Sequence, residues 1–266
     1  MWKWEADTET PRGVIVIVHG ASEHHGRYKW LRDMWRFHGF HVIMGDLPGQ
    51  GTTTRRLRGH IKSFDEYINE IKVWIDAAHQ YGLPVFLLGH SMGGLAVVRT
   101  LQEKEVDVKC VILSSPCLGL VKNPPFMLDM CTKGLNHLIP TLRVNAGLSV
   151  YIATRNEEVR EMDANDSLYV TKVSVRWYRE LVKAMKLAQI NQHKIPDLPF
   201  LVMQGGDDKI VNKVEVRKWF DRLHVNDKTY KEWPKLYHEI FNGPEREDVF
   251  QFTKSFLDTH IEVKTP

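Results

Sequence analysis

Pro84-Val85-Phe86-Leu87-Leu88-Gly89-His90-Ser91-Met92-Gly93-Gly94-Leu95-Ala96 is the stretch whose reading decides the fold. Residues 85–88 are a continuous apolar run, the pattern of a strand buried on both faces. Residues 89–93 then read Gly-His-Ser-Met-Gly, which fits the G-x-S-x-G turn between a strand and a helix. The central residue of so tight a turn sits in strained backbone, and side chains at the flanking glycines would collide with the neighbouring strand and helix. Such a turn holds the Ser91 hydroxyl clear of the sheet. A helix beginning at Met92, with Leu95, Val98 and Leu101 at helical spacing, aims its free N–H groups at the same spot.

The chain around it has 266 residues, 43% hydrophobic and 26% charged, enough for a large core. Thirty-six basic and 33 acidic residues leave a net charge of +3, which gives no argument for nucleic acid. The apolar runs are too short to cross a bilayer. Residues 1–7 lack the apolar stretch of a signal peptide, so the expected location is the cytoplasm, or its membrane periphery. Cys110, Cys117 and Cys131 form no C-x-x-C pair and read as reduced small hydrophobes.

Outward from the elbow, strands and helices alternate. Residues 13–19 and 40–44 read as buried strands, and residues 2–6 as an edge strand. A helix follows from about Arg27. Ser63-Phe64-Asp65-Glu66 is a capping box opening a second helix. Beyond the elbow helix, residues 108–114 and 199–204 read as core strands and residues 228–233 as a last strand. Helices are expected over residues 212–223 and 244–260. This order implies right-handed crossovers and an α/β fold, a mostly parallel sheet with helices on both faces. The interval between residues 114 and 199 is too long for a bare loop. Residues 127–138 and 173–187 carry helical apolar spacing. We therefore expect a core formed by residues 1–116 and 196–266, with residues 117–195 as a helical cap over the carboxyl ends of the strands, where ligands bind in open α/β sheets.

A serine hydroxyl needs a base, usually histidine, oriented by a carboxylate. Behind such an elbow the acid follows a later strand and the histidine comes last. Asp207 and Asp208 both satisfy the first condition. His238 lies between the last strand and last helix, whereas His224 falls in or at the end of a helix and His260 near the C-terminus. An oxyanion hole needs two backbone donors: the N–H of Met92 and one from the loop after an early strand, for which Ala21 is the candidate. His24, His25, His60 and Asp46 lack the spacing of a metal site. The basic loop at Arg55, Arg56 and Arg58 reads as a solvated surface, with a phosphate headgroup as the functional alternative.

With these residues in place, the chain resembles the monoacylglycerol lipase and lysophospholipase-like branch of the α/β-hydrolases, and in particular the bacillar phospholipase-like proteins. The resemblance rests on Gly89-His90-Ser91-Met92-Gly93-Gly94, on His19-Gly20-Ala21-Ser22-Glu23-His24-His25-Gly26-Arg27-Tyr28, on Arg58-Gly59-His60-Ile61, and on Ser114-Ser115-Pro116-Cys117-Leu118-Gly119. The family's acid loop resembles Gln204-Gly205-Gly206-Asp207-Asp208, which selects Asp208, and its histidine loop resembles Tyr237-His238-Glu239. One loop departs: the usual G-H-G-x-S reads Gly49-Gln50-Gly51-Thr52-Thr53. The resemblance implies a serine hydrolase without metal or cofactor, in which Ser91 attacks a monoacyl lipid ester, His238 moves the proton, Asp208 orients His238, and Ala21 and Met92 hold the oxyanion. A short-chain carboxylesterase, a thioesterase, or a silent binding protein on the same scaffold are the alternatives. The cap's apolar residues (Pro124, Pro125, Phe126, Met127, Leu128, Met130, Leu135, Leu138 and Ile139) add two expectations: a channel for one acyl chain with methionine-rich walls, and transient contact with a membrane surface.

Overall fold

The computed structural model describes residues 1–53, 56–122 and 126–261, and the side chains of residues 126–129 and 131 lie outside the description. In chain order the core begins with β1 (Trp2–Trp4), β2 (Gly13–Val18), α1 (Lys29–Phe37), β3 (Phe40–Met44), α2 (Asp65–His79), β4 (Val85–His90), α3 (Met92–Glu103) and β5 (Cys110–Ser114). An insertion follows with α4 (Phe126–Leu138), β6 (Arg143–Asn145), α5 (Val150–Ala153), α6 (Glu157–Ala164), β7 (Lys172–Ser174) and α7 (Val175–Ile190). The core closes with β8 (Phe200–Gly205), α8 (Lys213–Arg222), β9 (Lys228–Trp233) and α9 (Arg246–Asp258).

The main sheet runs β1-β3-β2-β4-β5-β8-β9. Every pairing in it is parallel except β1 against β3. Each residue of β2, β4, β5 and β8 is buried, which is why these segments read as unbroken apolar runs rather than alternating ones. The pleat sends neighbours to opposite faces. Val14, Val16 and Val18 share one core with α2, α3, α7 and α8, whereas Ile15 and Ile17 share the other with Leu31 and Trp35 of α1 and Phe250 of α9. The sheet therefore has an apolar core on each side. Helix α3 is buried from Met92 to Gln102 and runs through the interior of one helical layer.

Several boundaries differ from the sequence reading for local reasons. The edge strand stops at Trp4, and a 3-10 turn over His25–Tyr28 precedes α1. The capping box is half realised: Glu66 Oε1 accepts from the Ser63 N–H at 3.3 Å, but Ser63 Oγ accepts from Asp65, one residue short of the expected donor. The insertion also contains an antiparallel ribbon, β6 with β7, whose three-residue strands are too short to show a period.

The insertion is fastened to the loops at the carboxyl edge of the sheet. The Val170 N–H donates to the Ser22 carbonyl at 3.0 Å, and the Ser174 N–H donates to the Gly59 carbonyl at 2.7 Å. His60 Nδ1 lies 2.8 Å from Ser174 Oγ, and Arg58 Nη1 donates to the Ser167 carbonyl at 2.8 Å. Among the described residues, no helix is long and apolar enough to cross a membrane.

Candidate active site

Ser91 sits between β4 and α3 with φ +53° and ψ −120°, a left-handed backbone that few non-glycine residues adopt. The turn closes only because its neighbours are small. A Cβ on Gly93 would stand 2.2 Å from the Val18 carbonyl oxygen, and one on Gly89 2.8 Å from the Gly93 carbonyl oxygen. The Ser91 N–H donates to the Ser114 carbonyl at 2.9 Å, pinning the elbow to the end of β5.

His238 follows β9, and its Nε2 lies 2.7 Å from Ser91 Oγ. Its Nδ1 lies 2.8 Å from Asp208 Oδ2. The Asp208 side chain is fully buried, and Oδ1 accepts from the Ile210 and Val211 N–H groups at 2.8 and 2.9 Å. Gln204 Nε2 donates to Oδ2 at 2.8 Å. Burial works against the Asp208 charge, but the His238 imidazole and the Ile210 and Val211 N–H groups hold its carboxyl below the usual range. Burial likewise opposes an imidazolium at His238, yet Asp208, with Glu239 and Glu23 behind it, raises the His238 pKa. Asp207 is exposed, as is His224. His260 lies 2.8 Å from Asp227, away from this cluster.

Ala21 and Met92 both line the cavity at Ser91. Met92 opens α3, where a helix leaves its first N–H groups without an internal partner. The loop carrying Ala21 is braced by three side chains to which the sequence reading assigned no role. His19 Nε2 accepts from the Leu47 N–H at 2.9 Å, so Nδ1 carries the proton and donates to the Gly20 carbonyl at 2.8 Å. Burial lowers the His19 pKa, consistent with this neutral tautomer. Glu23 Oε2 accepts from the Gly20 N–H at 2.6 Å. Gln50 Oε1 accepts from the Ser22 N–H at 2.9 Å, where Ser22 has φ +69°. Gln50 is one of two departures from the G-H-G-x-S pattern, the other being Thr53 in place of the serine, and that departure was the one available signal for it.

Two cavities meet at Ser91. The larger, about 570 Å³, is walled mainly by apolar side chains including Leu120, Val144, Leu148, Trp177, Leu181 and Ile210. The smaller, about 20 Å³, has room for about one water. It is lined by His238, Glu23, Tyr169 and Glu239, none of which borders the larger one. Among the described residues Met92 is the methionine bordering the larger cavity, and Met130, expected in its wall, is 54% exposed and does not border it. Leu138 and Ile139 also face outward. Pro124, Pro125 and the side chains of Phe126, Met127 and Leu128 lie outside the described residues.

The side chains weighed for metal go to separate partners. His24 Nε2 lies 2.5 Å from Asp166, His25 Nδ1 lies 2.9 Å from Asp46, and His60 bonds Ser174. Burial opposes the Asp46 charge, but N–H groups of His25 and Thr52 with both side chains hold its pKa down to about 2. Cys110 and Cys117 are buried free thiols, and burial pushes the Cys117 pKa up to about 12. The Cys131 side chain and Arg55 lie outside the described residues.

A family model described as Serine aminopeptidase, S33 (Hydrolase_4) matches residues 9–245. The chain belongs to this family. It has the α/β-hydrolase fold. Phospholipase YtpA of Bacillus subtilis is 58% identical over 262 residues, covering 98% of this chain and 100% of that protein. Monoglyceride lipase of Homo sapiens is 28% identical over 244 residues, covering 90% and 78%. Among solved structures, Paleococcus ferrophilus monoacylglycerol lipase superposes with a TM-score of 0.85 at 32% identity, over 98% of this chain and 100% of that one. A soluble variant of Saccharomyces cerevisiae monoglyceride lipase bound to a substrate analog gives 0.87 at 23% identity over 98% and 91%, a likeness of fold. The chain is thus a hydrolase of this family with lipase and phospholipase relatives.

Proposed function

We propose that the chain hydrolyses carboxylic esters of monoacyl lipids, monoacylglycerols or lysophospholipids, through an acyl-enzyme on Ser91. The observation that carries this reading is the pair of unequal cavities meeting at Ser91. The larger, apolar-walled cavity has room for an acyl chain, whereas the smaller one, which His238 borders, has room for about one water. The acyl chain then belongs in the large apolar one.

The mechanism follows from these positions. Ser91 Oγ attacks the ester carbonyl while His238 Nε2 takes its proton, and the N–H groups of Ala21 and Met92 receive the oxyanion. Asp208 keeps Nδ1 protonated and stabilises the imidazolium. His238 returns the proton to the alcohol oxygen as the C–O bond breaks. Water enters from the small cavity, gives a proton to His238, and attacks the acyl carbonyl. The fatty acid leaves and Ser91 recovers its proton.

Residues 117–195 act as the cap, supplying the wall of the acyl chamber opposite the sheet. Its outward apolar side chains, among them Met130, Leu138 at 80% exposure and Ile139, support transient seating on a membrane surface from the cytoplasmic side.

The test is fatty-acid release across monoacylglycerols, lysophospholipids, acetyl esters and acyl thioesters, below their micelle thresholds. The reading expects kcat/KM to rise from acetyl to octanoyl, each buried methylene contributing up to about 0.8 kcal/mol. A fall beyond the butyryl ester would favour a short-chain carboxylesterase, and preference for the thioester a thioesterase.

A further inference from the structure

We infer that Arg27 is a positioning residue that holds the oxyanion loop, the histidine loop and the insertion in one catalytic arrangement, with Asp163 as the insertion's contribution. The inference rests on the proposed roles of Ser91 and His238.

The Arg27 side chain is only 4% exposed. Its guanidinium donates to one carboxylate from each of three segments far apart in the chain or in the fold. Nη1 pairs with Glu23 on the oxyanion loop. Nε donates to Asp163 Oδ1 of α6 at 2.8 Å, and Nη2 pairs with Asp163 Oδ2. Nη2 also donates to Glu239 Oε2 at 2.9 Å, on the residue next to His238. All three carboxylates are as buried as Arg27 itself. A planar fork with five donors makes these four bonds in fixed directions, which the three donors of a lysine ammonium on a flexible stem cannot reproduce.

Burying three carboxylates against one cation is a poor device for stability alone, because desolvation is only partly offset. Burial holds the Asp163 carboxyl above its ordinary range despite Arg27. What the cluster does is transmit position. Glu23 accepts from the Gly20 N–H, one residue before the Ala21 donor. The Glu239 N–H donates to the Ala153 carbonyl of the insertion at 2.9 Å, one residue after His238. A shift of α6 therefore acts through Arg27 on both halves of the catalytic machinery.

The experiment compares the full-length parent with Asp163→Asn, Glu239→Gln, their double variant and Arg27→Lys. Each is assayed on a water-soluble butyrate ester and by the rate of fluorophosphonate labelling of Ser91, at a temperature where thermal melts show it folded. The account expects Asp163→Asn to lower kcat and the labelling rate in parallel by about ten- to a hundredfold, with KM changed less than about twofold, as small misplacement of reacting groups does. The double variant should be no slower than the worse single one, since both act through one guanidinium. Arg27→Lys should lower both rates as well. Should Arg27→Lys not fold, the carboxamide cycle decides. Asp163→Asn with kcat within about twofold of the parent, or effects that multiply in the double variant, would overturn the inference. If the parent itself labels elsewhere than Ser91, the proposed function fails instead.

Discussion

Asp208 Oδ2 stands 2.8 Å from His238 Nδ1, while the adjacent Asp207 is exposed to solvent. One residue of register separates a buried carboxylate from a surface one. Asp208→Asn presents an amide to Nδ1 and favours the wrong imidazole tautomer, an effect that costs about 10⁴ in turnover in another serine hydrolase. Asp207→Asn should leave kcat within about twofold of the parent. Steady-state kinetics of the two variants side by side check this.

The pH profile follows from the same pair. In the proposed mechanism His238 must be neutral to accept the Ser91 proton, and its pKa is raised above the ordinary 6.5 because Asp208 and the carboxylates behind it outweigh burial. Activity should therefore appear as pH rises, with the acid limb of kcat/KM centred above 6.5. Stability runs with matching signs. The raised His238 pKa contributes stability that is fully present below its unfolded pKa and is lost as pH rises through its folded one. The depressed Asp208 pKa contributes stability present above its unfolded value and lost as pH falls through its folded one. The melting-temperature gap between parent and Asp208→Asn should thus shrink as pH falls below the ordinary carboxylate range.

Gln50→Ala removes the acceptor for the buried Ser22 N–H. An unpaired buried donor costs about 1–3 kcal/mol, so the melting temperature should fall. Because Ser22 adjoins Ala21, kcat on the butyrate ester should drop about tenfold, less than the loss of an oxyanion donor itself. Unchanged kcat with lowered stability would confine Gln50 to a structural role.

Leu181 of α7 is 7% exposed and borders the large cavity but not the small one. Leu181→Trp fills part of that chamber. The optimum acyl length should shorten by a few carbons while the butyrate ester is turned over as before. A length series of one alcohol's esters measures it.

Much of the fold was legible because it is written locally. Buried parallel strands are unbroken apolar runs, as in residues 14–18 and 85–88, and the elbow carries its glycines for steric reasons visible in five residues. The order of Ser91, Asp208 and His238 pointed to three side chains that the structure brings into hydrogen-bond contact, although only the family resemblance separated Asp208 from Asp207. What stayed hidden depends on contacts between distant segments. Nothing near Arg27 announces Asp163 or Glu239, and a three-residue ribbon such as β6 with β7 has no period to read. The exposure of Met130 was equally hidden, since an apolar load in a helix does not by itself show which side chains meet water.

The most direct measurement is mass spectrometry of the protein after treatment with a fluorophosphonate. The account predicts a single covalent adduct on the peptide containing Ser91, absent when Ser91→Ala is treated in the same way. An adduct on any other residue, or a folded parent that does not react, would contradict it.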